Sequence, residues 1–83
     1  MRFSDYAKAE GIELLRDDLF FIRKRLLKMP HALHRGILRR YVECWQHGML
    51  KCRDELKTQN AGRQRANSYL LEVTEDKNVT RHS

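Results

Sequence analysis

The sequence predicts an all-α protein, a helical hairpin broken at Pro30 with shorter helices flanking it. Two observations carry this. Apolar residues recur at three- and four-residue steps on both sides of Pro30. The 83 residues include one proline and four glycines, too few turn formers for a many-stranded sandwich or barrel. A strand over residues 69–73 is the one local competitor, and there is no internal repeat or low-complexity tract. A chain of this length makes one domain and buries only about 60% of its unfolded surface. Its core is therefore expected to be completed by oligomerisation or by a partner.

Ser4 is placed to cap a first helix over about residues 5–10, with Asp5 in its first turn and Gly11 as the terminating glycine. A second helix is expected over residues 12–29. Ile12, Leu15, Leu19, Ile22, Leu26 and Met29 form its apolar stripe. Asp17 and Asp18 precede Arg23, Lys24, Arg25 and Lys28, an order that suits the helix dipole. Leu14, Phe20, Phe21 and Leu27 fall off the stripe, so more than one side of this helix needs cover.

Pro30 disfavours helical geometry at Met29 and suits the first turn of a new helix. From about residue 31, Leu38, Val42, Trp45, Met49, Cys52 and Leu56 follow alternating steps of four and three, a heptad-like seam. Ile37, Tyr41 and Cys44 widen its first half. The pattern fades after Leu56, and whether the helix breaks or continues at Gly62 is left open. Tyr69, Leu70, Leu71 and Val73 read as a short C-terminal helix or the end of a long one. Residues 1–73 are taken as one helical domain and residues 74–83 as a polar tail.

The net charge is +6, and its distribution is uneven. Residues 1–18 carry −2, residues 19–42 carry +7 with no acid, and residues 43–83 carry +1. The central window holds Arg23, Lys24, Arg25, Lys28, Arg35, Arg39 and Arg40. A turn at Pro30 brings both groups of cations to one end, where they suit double-stranded DNA phosphates or an acidic protein surface. No residue set for reading bases is evident, so such binding would be weakly sequence-specific.

Phe20, Phe21, Leu27, Tyr41, Trp45 and Leu50 are the expected contacts with a partner or second copy. Trp and Tyr are enriched in interface hot spots, and the others fall off the apolar stripes. For Tyr41 and Trp45 the competing reading is core. In a second reading, the seam Leu38, Val42, Trp45, Met49 and Leu56 pairs two copies into a DNA-binding regulator.

His31, His34, Cys44, His47 and Cys52 fall within 22 residues and supply donors of the type zinc takes. Cys44, His47 and Cys52 with His34 or His31 form a low-ranking metal alternative, because their spacing matches no standard finger. The leading expectation is no metal and no cofactor. Ala7, Gly11 and Ile12 resemble the turn of a helix-turn-helix. There, Asp17 falls where the second helix needs an apolar residue. No glycine-rich phosphate loop, nucleophile elbow or H-E-x-x-H is present, and an enzyme is not expected. No apolar run is long enough to cross a membrane, and the first residues lack a signal-peptide core. A cytoplasmic protein with reduced thiols is expected.

A short, basic, helical chain with two cysteines and an N-terminal Ser4-x2-Ala7-x3-Gly11-Ile12 resembles the small accessory proteins of phages, phage satellites and other mobile elements. The resemblance is one of type and implies no particular functional residues. It implies a partner in replication, regulation or packaging of DNA, for example a terminase small subunit.

Overall fold

Four α-helices joined by short turns make up the computed structural model, which describes residues 2–75; no strand occurs among these residues. The chain is all-α, as the periodicity requires. The expected polar tail lies outside the described residues from Asp76 onward. Its first residue, Thr74, belongs to the core: it is buried and its hydroxyl donates to the Leu70 carbonyl at 2.7 Å.

Helix α1 spans Phe3–Ala9, two residues earlier than expected at its start. Ser4 lies inside it, and its N-terminus has no side-chain cap. Gly11 ends it as read, with φ +83°, while the Ile12 N–H returns to the Ala7 carbonyl at 3.0 Å.

Helix α2 spans Arg16–Leu26, shorter than the stripe suggested. Ile12 is buried from a non-helical segment rather than from a helix. Leu15, expected on the apolar face, is the exposed N-cap residue. Asp18 sets this start by accepting the Leu15 N–H at 2.9 Å. The loop from residue 10 to 15 is longer than the three- or four-residue turn of a helix-turn-helix, so that resemblance does not extend to the geometry.

After Pro30, a 3₁₀ turn (His31–Leu33) leads into α3, His34–Lys51. Helix α3 stops short of the seam's end. Residues 52–54 are not helical, and the Asp54 carboxylate accepts the Leu56 N–H at 2.9 Å in a second 3₁₀ turn (Glu55–Lys57). This local hydrogen bond competes with helical continuation. It leaves Leu56 95% exposed.

Helix α4, Thr58–Val73, runs through Gly62 and includes the 69–73 group as its last turn and a half. It packs along α3, which makes these two helices the most extensively paired elements. Their backbones approach at two glycines. A Cβ on Gly48 would stand 2.8 Å from the Ala61 carbonyl oxygen, and one on Gly62 would stand 2.6 Å from that of Trp45.

Tyr41, Val42, Trp45 and Leu70 are the largest fully buried side chains. Tyr41 and Trp45 are therefore not available as partner contacts, and the core reading of both is the right one. Val42 and Trp45 are occupied within the chain, so the seam they share is not free to pair two copies. Each ring has its polar atom satisfied: the Tyr41 hydroxyl donates to Asn67 Oδ1 at 2.7 Å and Trp45 Nε1–H to Gln59 Oε1 at 2.9 Å. Burial, with a smaller push from Asp18, holds the Tyr41 phenol protonated well above the ordinary range, against an opposing pull from Arg63.

Asp18, buried, joins α2 to α4 through Arg63, whose Nε donates to both carboxylate oxygens at 2.9 and 3.0 Å. The same guanidinium lies 5.0 Å from the centre of the Trp45 ring and donates to the Glu13 carbonyl at 3.2 Å. At the other end of α2, Arg25 Nε donates to the Thr74 hydroxyl at 2.9 Å.

Candidate interaction surface

An open groove of about 620 Å³ runs between the N-terminal end of α1, the length of α2 and the first half of α3. Ile22 and Leu26 of α2 are among the buried residues that line it. Leu19 and Leu27 add exposed apolar surface from α2, and Phe3 and Leu38 line it from α1 and α3. Its charged side chains are Arg2 and Arg23, and the His34 imidazole lies on the same lining. A second hollow of about 280 Å³ shares Arg2, Phe3 and Leu38 and adds Tyr6, Arg35 and Arg39. Through these shared residues, the two hollows adjoin and together make up a trough. Among the described residues, no acidic side chain lines either hollow. Arg2, Arg23, Arg35 and Arg39 are exposed, and none is ion-paired among the described residues.

Helical geometry explains which cations gather here. At about 100° per residue, Arg35 and Arg39 share an edge of α3 beside Leu38, while Arg40 lies about 100° further round. Arg40 accordingly pairs with Glu43 at 3.2 Å on another side of the helix. Both partners are exposed, so this pair adds little stability.

The seven cations of the central window therefore do not form one patch. Arg23, Arg35 and Arg39 border the trough. Lys24 and Lys28 are exposed, with Lys24 Nζ 5.9 Å from the centre of the Phe20 ring. Arg25 is spent on Thr74, and Arg40 faces a separate hollow of about 300 Å³ lined also by Glu43, Cys44, His47 and Arg65.

The apolar contacts divide as well. Leu27 is 78% exposed and lines the trough; Phe20 is 66% exposed on α2. Phe21 is half-buried against the core. Leu50 is 83% exposed but stands twelve residues beyond Leu38 on α3, about 18 Å along the axis, and so lies apart from the trough. Arg2, Phe3 and Tyr6 belong to the surface but were not singled out from sequence. They enter only because α1 packs across the start of α3, with the Phe3 and Tyr41 ring centres 6.5 Å apart.

The metal alternative does not assemble. Among the described residues, no three His, Cys, Asp or Glu side chains come together. Cys44 and His47 share the small hollow, whereas Cys52 donates its thiol hydrogen to the Asp54 carbonyl at 3.3 Å. His34 Nε2 lies 3.0 Å from the Met29 carbonyl oxygen, which can only accept, so this nitrogen carries the proton. The His31 and His34 rings sit 5.1 Å apart. Burial pushes the Cys44 thiol up, against the nearby Arg40 and Arg65. A thiol held neutral is the reverse of an activated nucleophile.

No helix among the described residues is long and apolar enough to cross a membrane. Compared with known proteins, the chain matches no family model, no curated protein and no solved structure.

Proposed function

We propose that the protein is a non-enzymatic helical adaptor. It docks through exposed apolar helix surface on a partner protein that handles DNA, in replication, regulation or packaging, and offers a basic face to DNA. The observation that supports this is the trough itself: apolar side chains left open to solvent, bordered by four arginines that have no ion pair and no acid beside them among the described residues. A cationic border raises the local concentration of polyanions and speeds their encounter. Lys24 on α2 and Lys28 just past its end are also exposed, off the trough. Two observations favour this reading over a homodimeric regulator or a zinc module: Val42 and Trp45 of the seam are buried within the chain, and no three metal donors come together among the described residues.

Fluorescence anisotropy on a labelled duplex, across a salt series, tests the DNA face. Binding is expected to weaken steeply with salt, with a slope of about −0.9 per phosphate contacted. The variant Arg35→Glu/Arg39→Glu is expected to lose affinity for every duplex alike and to flatten the slope by about 2. The same affinity and slope in wild type and variant would refute the DNA face.

A further inference from the structure

We propose that the trough receives an amphipathic helix of a partner protein whose apolar face is flanked by aspartate and glutamate. This deepens the adaptor reading and rests on its protein-docking half. The first argument is charge complementarity. Leu19, Leu27, Phe3 and Leu38 offer apolar contact, and every charged side chain on the lining is cationic. An apolar helix with acidic flanks meets both parts, while a basic one meets repulsion along both edges.

The second argument removes nearer candidates. Residues 76–83 carry a single large apolar side chain, Val79, and so no apolar stripe. A second copy in a two-fold pair would set this patch, with Arg23, Arg35 and Arg39 on it, against the same patch of its partner, bringing cations to both sides and no acid to offset them. The described residues contain no strand, so there is no sheet edge to extend with a peptide strand. Laying a helix into an apolar groove, with leucines at i, i+3, i+4 and i+7, is a recognition mode that suits the exposed leucines here.

The test uses the full chain, labelled with ¹⁵N, and three probes. One is a synthetic helix of about 18 residues, roughly 27 Å long, with that leucine spacing and glutamate flanks. The second carries lysine in place of each glutamate. The third is a phosphatidylserine-containing vesicle. The acidic helix is expected to bind with micromolar affinity and to shift the amide signals of Phe3, Leu19, Leu27 and Leu38. The lysine helix is expected to bind at least about tenfold more weakly. Leu27→Glu and Arg39→Glu, both at exposed positions and with unchanged circular dichroism, should each weaken the acidic helix about tenfold. Equal binding of the two helices, indifference to Leu27→Glu, or tighter binding to the vesicle than to the acidic helix would overturn the proposal. Failure here with a normal DNA titration would leave the basic face standing. Success here with no DNA binding would remove the DNA half alone.

Discussion

Arg63→Ala is expected to destabilise the protein by about 3–5 kcal/mol, the range for leaving a buried charge without its partner. Asp18 is 5% exposed, and Arg63 supplies its counter-charge. The Leu15 N–H would remain as a donor, but it carries no charge to offset the carboxylate. The loss would reach three elements: the start of α2 that Asp18 caps, the loop carbonyl of Glu13, and the face of Trp45. Arg63→Lys keeps the charge but not the planar fork, so an intermediate loss is expected. Replacing both members by apolar residues, Asp18→Leu/Arg63→Met, should cost less than Arg63→Ala alone. Urea unfolding followed by Trp45 fluorescence reads all three variants. A small domain has about 5–15 kcal/mol in total, so the single variant should lose a large share of its stability and unfold at clearly lower urea.

Gly62→Ala is expected to destabilise by about 1–3 kcal/mol, although alanine is the better helix former. Helix propensity alone favours alanine by about 1 kcal/mol. Against this, the added methyl would stand 2.6 Å from the Trp45 carbonyl oxygen and 2.7 Å from its Nε1. Either the two helices separate or the Trp45 ring moves, and its hydrogen bond to Gln59 is lost. Gly36→Ala serves as the internal control. Position 36 is exposed on α3 and its Cβ would meet nothing within 4 Å, so propensity wins and stability should rise by up to about 1 kcal/mol. Opposite signs for two glycine-to-alanine changes, in thermal unfolding by circular dichroism, would locate the close approach of α3 and α4. Equal signs would contradict it.

What was legible in the sequence was the part written in local chemistry. Gly11 and Pro30 mark real breaks because φ preference and the missing N–H act at the residue itself. The α3 stripe was readable because Val42, Trp45 and Met49 repeat at helical spacing. The same periodicity misled at its ends. Ile12 and Leu56 extend their stripes in register, yet Asp18 starts α2 later and Asp54 diverts the chain after α3. Side-chain hydrogen bonds to backbone N–H groups outweighed the apolar repeat at both places.

Helix α4 was hard to read because its buried line is Gly62, Ala66 and Leu70. Two of these residues have almost no side chain, so they add little apolar signal while permitting close backbone approach. The ion pair of Asp18 and Arg63 spans 45 residues and has no local signature. Part of the trough has the same origin. Arg23, Leu27, Arg35 and Arg39 were singled out as cationic or apolar surface. Arg2, Phe3 and Tyr6 joined them only through the packing of α1. Arg40 looked equivalent to Arg39 in the charge count and is not, because one residue is about 100° of helix.

The central claim is that α1 to α4 close one core within a single chain and leave the trough open for a different molecule. Sedimentation velocity on the protein alone, at tens of micromolar and moderate salt, tests this most directly. The expected result is a single species of 10.0 kDa, unchanged in Leu27→Glu and Arg39→Glu. A dimer that either substitution dissociates would contradict the claim, since a second copy would then already cover the trough.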